Sequence, residues 1–487
     1  MIAQPFESRH PVTQRLTARR LVEMLGNWRG GGRSYQELSD SIALLISEGA
    51  ITAGTALPAE RPLSDALGVS RTTVAASYQH LREAGLAQSR QGSGTVIRLP
   101  RQEAGELWSS GASEIDLSFA APEPWRGLAA LSAHAQATRP DIFRDKGFDT
   151  IGSLSLRRAI AERYTSRGLP TSPDQIMVTL GAQHAVYLIA RTLLRRGDRS
   201  LIEAPSYPHA REALAATGAL VSEIPVGAFG YDNASIVDIA QRTSPRLAYL
   251  IPDHHNPTGQ SMPHELRGEL ITTLASQGAH IIADETTAEL TLGGVRSVLP
   301  FAASAEYLHQ QDSVITVGSL GKTVWGGLRV GWIRTTPELI SRLEVSRRIG
   351  DLGTGAWEQV LAELALERYD EILAERSTSL TAQHRTLTGQ LAAHFPDWSF
   401  AEVAGGVSLW VDLGGPHSNR LCRAGAKAGV RIVPGSRFGS PGVFERYLRI
   451  PFSASSDEIR ESILRLRLAW GAQESSMRAE LPVGAVV

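Results

Sequence analysis

The 487-residue chain holds a single cysteine, Cys422. One cysteine excludes an intrachain disulfide framework and fits a reducing compartment. Lysine is scarce too: of 49 lysines and arginines, only Lys146, Lys322 and Lys427 are lysine. Arginine serves as surface charge, but it cannot surrender a proton to form a Schiff base. A lysine retained in the Ser/Gly-rich turn Ser319-Leu320-Gly321-Lys322-Thr323 therefore marks a need for a deprotonatable amine. Long apolar runs are missing as well. Val186 to Leu194 is interrupted by Arg191, so no bilayer span is expected. Met1 to Arg20 has no apolar signal core and is broken by Arg9, Arg15, Arg19 and Arg20, which predicts a cytoplasmic protein without a membrane partner. The net charge of −1 shows no global basic excess, so any nucleic-acid surface must be local. His254 and His255 adjoin without a third spaced ligand. No metal site is expected, and the pair reads as pocket wall or packing.

The length favours two or three domains, and the pattern changes near residue 100. Tyr35 to Ile97 reads as three helices and a two-stranded wing. Leu38, Ile42, Leu45 and Ile46 form an apolar stripe. A short helix runs through Leu63 to Leu67, and Gly68 turns the chain. Ser70 caps a third helix whose Val74, Tyr78 and Leu81 share a face; Gly85 ends it. Arg71, Thr72 and Ser77 are then expected to point outward near the start of that helix, the part that enters a major groove. Arg90 to Thr95 is a glycine turn between short strands. From Ile115 onward, strand-like runs alternate with helical patterns: Gln175 to Thr179, Arg199 to Glu203, Leu247 to Pro252, His280 to Asp284 and Ser313 to Val317. Such alternation predicts an α/β domain with a mainly parallel sheet and ligand groups at the strand ends.

Several candidate groups fall at those ends. Gly181-Ala182-Gln183 opens an apolar helix, where free N–H groups attract phosphate. Arg329 and Ser319 offer further phosphate contacts. Gly321-Lys322-Thr323 invites a P-loop reading, but Thr316 stands where that motif needs its first glycine. Asp284 closes a strand, as a ligand carboxylate or as a helix cap. Arg449 lies inside the apolar strand Tyr447 to Ser453, where a guanidinium should face a carboxylate, of a ligand or of the protein.

Two blocks carry a family resemblance. Leu57-Pro58-Ala59-Glu60-Arg61, Leu67 to Val74 and Gly92-Ser93-Gly94-Thr95 resemble the winged helix-turn-helix of GntR-type regulators. The Lys322 turn, Asn256-Pro257-Thr258-Gly259, Asp284 and Arg329 resemble the cofactor motifs of fold-type I pyridoxal-phosphate enzymes. Together they resemble the MocR subfamily of GntR-type transcription regulators. The resemblance implies an all-α winged head joined to an α/β fold-type I aminotransferase-like domain with a smaller C-terminal α+β subdomain. It divides the chain into an extension at 1–33, a head at 34–99, a linker at 100–114, the aminotransferase-like domain at 115–472 and a loose tail at 473–487. It further implies double-stranded operator DNA as partner, read by Arg61, Ser70, Arg71, Thr72, Thr73 and Ser77, with Gly92 and Gly94 letting the wing approach the backbone. Pyridoxal phosphate would form a Schiff base on Lys322. Gly181, Ala182, Gln183, Ser319 and Arg329 would hold its phosphate, Asp284 its ring nitrogen, Asn256 its ring hydroxyl, and Tyr207 would stack on the ring. Arg449 would clamp the carboxylate of an amino-acid-like effector, and the body would form a homodimer.

Two departures from the pattern bear on function. Thr286 and Thr287 stand where relatives carry a tyrosine after the aspartate, and Gly147 to Gly152 lacks the tyrosine that reaches a neighbouring subunit's cofactor. Both favour a sensor of the cofactor or an amino compound. A working aminotransferase with a vestigial head is the alternative, and a cofactor-free dimerisation platform is the third reading.

Overall fold

The computed structural model describes residues 14–26, 28–29, 34–47, 50–90, 94–98, 114–144, 146–440 and 442–480. The chain forms two compact units: Met1–Asp116 with Leu413–Leu448 and Glu461–Val487, and Leu117–Asp412 with Arg449–Arg460.

The first unit opens with β1 (Gln14–Arg15), α1 (Ala18–Leu25), α2 (Ser34–Ser47), β2 (Thr55–Ala56), α3 (Glu60–Leu67), α4 (Arg71–Glu83), β3 (Ala87–Arg90) and β4 (Gly94–Ile97). The strands make one sheet in the order β1-β2-β4-β3. Gly68 ends α3 in the left-handed region, at φ 63°, which only glycine adopts freely. Ser70 caps α4 by accepting the Thr73 N–H at 3.0 Å. Leu38, Ile42, Leu63, Val74, Tyr78 and Leu81 form the core between the helices.

Three expectations for this region are corrected. Residues 14–29 do not form an extension outside the head. Gln14 and Arg15 pair in parallel with Thr55 and Ala56, and Leu21, Leu25 and Trp28 lie inside the head's core. The signal was present in Thr17, which caps α1, and in Leu21 and Leu25 one turn apart. Ser77 does not face outward. It is 0 % exposed, because Val74, Ser77, Tyr78 and Leu81 follow i, i+3, i+4, i+7 spacing along the face of α4 that packs inward. The proposed tail is helical at least as far as Glu480. Gly92, the linker at 100–113, residues 1–13 and residues 481–487 fall outside the described residues.

The second unit is built on a seven-stranded sheet: β6 (Ile176–Thr179), β7 (Arg199–Ala204), β8 (Leu220–Pro225), β9 (Leu247–Leu250), β10 (His280–Asp284), β11 (Val314–Ser319) and β12 (Gly331–Arg334). Its order is β6-β12-β11-β10-β9-β7-β8, with β12 antiparallel to both neighbours. A short strand β5 (Ile115–Asp116) precedes it and belongs to the first unit. Around the sheet lie α5 (Leu128–Thr138), α6 (Leu154–Ser166), α7 (Ala182–Leu193), α8 (Pro208–Ala216), α9 (Asn233–Thr243), α10 (His264–Ser276), α11 (Leu308–Gln311), α12 (Pro337–Arg347), α13 (Ala356–Glu367) and α14 (Tyr369–His394). Successive strand residues enter different cores. Ile281 and Ala283 join the cluster containing Leu270 and Phe301, while Ile282 joins the one containing Ile189 and Leu343. Two covered faces explain why the strands read as unbroken apolar runs.

The chain continues through β13 (Ser408–Asp412), α15 (Ser418–Lys427), β14 (Val430–Arg431), β15 (Val433–Pro434), β16 (Tyr447–Pro451) and α16 (Ser456–Glu480). Residues 413–448, which belong to the expected aminotransferase-like stretch, fall in the same compact unit as the head. Arg423 and Lys427 on α15 account for this. Arg423 donates to Ser41 Oγ at 2.8 Å and to the Trp28 carbonyl at 3.3 Å, and Lys427 pairs with Asp40 at 2.6 Å. Among the described residues, no helix is long and apolar enough to cross a membrane.

Candidate cofactor site and DNA-reading head

The candidate side chains of the body gather where β6, β9, β10 and β11 end. Asp284 is the last residue of β10 and is buried. Its Oδ2 accepts the Tyr249 hydroxyl at 2.7 Å, and its Oδ1 accepts the Thr286 N–H at 3.0 Å. Two donors aimed at the buried carboxylate fix its direction. Tyr249 is a contributor that the sequence reading missed. Lying inside β9, it looked like core, and only the register of β9 beside β10 brings its hydroxyl to Asp284.

Lys322 follows β11 in a turn closed by Leu320, whose carbonyl accepts the N–H groups of Val324 at 2.8 Å and Trp325 at 3.2 Å. Burial pulls its amine down to about 8. The Asp284 carboxylate holds it up, and the Arg449 guanidinium pushes it down further. These influences require Asp284 and Arg449 to face the same space as Lys322. Among the described residues no hydrogen bond engages Nζ. An amine with depressed proton affinity and no fixed partner is suited to nucleophilic attack on a carbonyl.

The phosphate candidates lie side by side. Gly181, at φ 87°, precedes α7, and a Cβ there would stand 3.1 Å from Arg329 Nη2. Arg329 is itself left-handed, at φ 53°, and its Nη2 donates to the Leu180 carbonyl at 2.9 Å. Glycine at 181 is what allows guanidinium and helix start to meet. Ser319 accepts from the Gly321 N–H and donates to the Val330 carbonyl, both at 3.0 Å, so its hydroxyl ties down the lysine turn. The Gln183 side chain donates to the His209 carbonyl at 3.0 Å, leaving backbone N–H groups 182 and 183 at the helix start.

Tyr207 precedes α8. Burial pushes its hydroxyl up to about 12, reinforced by Asp284 and Glu212 and opposed by Arg329 and Arg449. Asn256 follows β9. It is 8 % exposed, and its Oδ1 has no hydrogen-bond partner among the described residues. Arg449 on β16 is buried and donates to the Ser118 carbonyl. His255 bonds Thr258 Oγ1 at 3.0 Å and approaches Glu203 at 3.4 Å, so it braces the Asn-Pro-x-Gly turn. Thr287 donates to the carbonyls of Asp253 and His254 rather than toward the site.

On the head, Arg61, Arg71 and Thr72 are exposed, while Thr73 is half-buried. The Ser70 hydroxyl lies 2.6 Å from that of Thr72 and 2.8 Å from that of Thr73, which fixes the start of α4. Gly94 sits at φ 75° with open space around it.

This geometry defines a DNA-reading head on an aminotransferase fold, and comparison with known proteins agrees. Residues 137–466 match the model of aminotransferase class I and II, and residues 34–97 match that of the bacterial regulatory proteins of the gntR family. The chain is 30 % identical over 362 residues to a 2-aminoadipate transaminase of Thermus thermophilus, covering 72 % of this chain and 89 % of that protein. It is 29 % identical over 484 residues to a probable rhizopine catabolism regulatory protein, MocR, of Rhizobium meliloti, covering 91 % and 94 %. The solved LysN α-aminoadipate aminotransferase of Thermus thermophilus, complexed with N-(5'-phosphopyridoxyl)-L-leucine, superposes with a TM-score of 0.67 at 27 % identity over 76 % of this chain and 97 % of LysN. The chain belongs to the aminotransferase class I and II family and, with its GntR head, to the MocR-type transcription regulators.

The cofactor of this fold is pyridoxal phosphate. The residues present fit it. Asn256 offers an unpartnered buried amide oxygen, Lys322 a depressed amine, and Gly181 with Arg329 an anion cradle.

Proposed function

We propose that this transcription regulator senses pyridoxal phosphate, or an amino-acid-like compound reacting with it, through the site around Lys322, and that occupancy changes how its heads hold DNA. When bound, the cofactor supplies an electrophilic carbonyl and an electron-withdrawing ring. Lys322 would be the attachment point, and Asp284 would hold a proton on the ring nitrogen. Asn256 would face the ring hydroxyl and Tyr207 the ring. Gly181, Ala182, Gln183, Ser319 and Arg329 would surround the phosphate. Arg449 would take the carboxylate of the amino compound.

The observation that carries the proposal is the pairing of a depressed, unpartnered Lys322 amine with an ordered α4 that exposes Arg71 and Thr72. Arg61, Ser70, Arg71, Thr72, Thr73 and the Gly94 wing form the proposed DNA surface, in which Gly92 is included from its motif alone. The Arg423 and Lys427 contacts tie α2 of the head to α15 and give a shift of α15 a route into the head. Any such switch requires the ligand to prefer one head arrangement over another.

A dimer suits both parts. In the body, Phe148, Val345, Ile349 and Leu352 are exposed, Ile349 at 74 %, a degree that favours burial against a second copy. In the head, Arg61, Arg71, Arg82, Arg90 and Arg98 stand against Glu60, Asp65 and Glu83, a mild basic excess, so useful affinity calls for two half-sites. The test is DNA binding with and without pyridoxal phosphate in wild type and Lys322→Ala. A full cofactor response in the variant would refute the lysine-based sensor, and a stable monomer by light scattering would refute the dimer.

The 30 % identity to a transaminase favours a second reading, slow amino transfer. Rapid keto-acid formation from common amino acids would promote it over the sensor.

A further inference from the structure

The turn that carries Lys322 ends without continuing into a helix, so the carbonyls of Thr323 and Val324 need donors from elsewhere. They receive them from α14. The Arg376 guanidinium donates through Nε to Thr323 O at 2.6 Å. Through Nη2 it donates to Val324 O at 3.0 Å and to Glu123 O at 2.6 Å. The Val324 carbonyl also accepts the Trp125 N–H at 2.8 Å. Tyr369, seven residues before Arg376 and so on the same face of α14, places its hydroxyl 3.3 Å from Thr323 Oγ1.

Arg376 is buried; the Glu375 and Glu123 carboxylates support its charge, but among the described residues neither forms an ion pair with it. A buried guanidinium spent on three backbone carbonyls is costly as a mere structural filler. It matches the fork geometry that arginine offers and lysine lacks.

We propose that Arg376 is a positioning residue for Lys322: it clamps the cofactor turn from behind, with Tyr369 as its second contact, so that the amine is presented in one fixed direction toward Asp284. This rests on the reading of Lys322 as the cofactor's attachment point. Loosening the clamp lets the turn move and admits water. The cofactor should then be lost faster, and the lysine nitrogen bound to it should titrate at a shifted pH.

The test compares full-length wild type, Arg376→Lys, Arg376→Ala and Tyr369→Phe, each loaded with pyridoxal phosphate. The readouts are the rate of loss of visible absorbance on dilution and the pH midpoint of that absorbance. Removing charge-assisted bonds to the turn should speed cofactor loss about tenfold or more in Arg376→Ala, less in Arg376→Lys and least in Tyr369→Phe. The pH midpoint should move in the same order. Thermal melting and cofactor-free DNA binding, measured alongside, separate a loosened turn from a failed fold. If Arg376→Ala does not fold, Arg376→Lys carries the test. A folded Arg376→Lys or Arg376→Ala with wild-type loss rate and midpoint would overturn the clamp. A wild type that never takes up the cofactor would overturn the functional reading and the clamp with it. Faster loss with an unmoved midpoint would reduce Arg376 to general support and overturn its positioning role.

Discussion

The depressed amine of Lys322 should be measurable as an instability of the cofactor-free protein. Its proton affinity falls from an ordinary 10.5 to about 8 because burial disfavours the charged form. At about 1.4 kcal/mol per pH unit, that gap amounts to about 3 kcal/mol of destabilisation at neutral pH. The sign follows from proton counting. Between about pH 8 and 10.5 the unfolded chain holds the proton and the folded one does not, so stability rises with pH there. Below that window both states are protonated and the full cost applies; above it the cost disappears. Lys322→Met keeps the length and removes the charge. Cofactor-free Lys322→Met should therefore exceed wild type by about 2–3 kcal/mol at pH 7, with the difference vanishing above about pH 10.5. Urea unfolding followed by tryptophan fluorescence at several pH values reads it, and the difference between the two proteins cancels other titrations. A variant no more stable than wild type at pH 7, or a difference independent of pH, would refute the account of an amine whose desolvation Asp284 only partly offsets.

Further expectations concern single groups. Tyr249→Phe removes the 2.7 Å donor to Asp284 and should cost about 1.5–3 kcal/mol in chemical denaturation, as for a hydrogen bond to a charged group. Gly181→Ala forces a side chain into φ 87° and toward Arg329, so the cofactor and inorganic phosphate should both bind more weakly, read by titration of each, at about 1–3 kcal/mol of added strain. Arg71→Ala should weaken operator binding and lower the salt slope by about one, whereas Ser77→Ala, on the buried face of α4, should leave DNA affinity unchanged. Arg423→Ala should keep cofactor uptake but blunt the cofactor's effect on DNA binding, read by titrating operator DNA with and without pyridoxal phosphate.

Much of this architecture was legible in the chain. The period-3.6 stripes of α2 and α4 and the apolar runs of β6, β9, β10 and β11 follow from local chemistry, and the motif residues follow those strands in sequence. What escaped was set by register and by distant packing. The antiparallel β12 carries no sign of its direction. Ser77 looked outward because polarity was weighed above helical phase. Tyr249 and Arg376 act through atoms of β10 and the lysine turn, which sequence spacing alone does not bring near. Residues 14–29 read as an appendage because β1 and α1 are short, and pairing with Thr55 and Ala56 is a tertiary fact.

The central claim joins the head to the cofactor site, and binding to the DNA upstream of the protein's own gene, at one stated salt concentration, tests it most directly. Specific binding that changes when pyridoxal phosphate is added to wild type, and no longer changes in Lys322→Ala, is the predicted result. Specific binding indifferent to the cofactor in both proteins would contradict it.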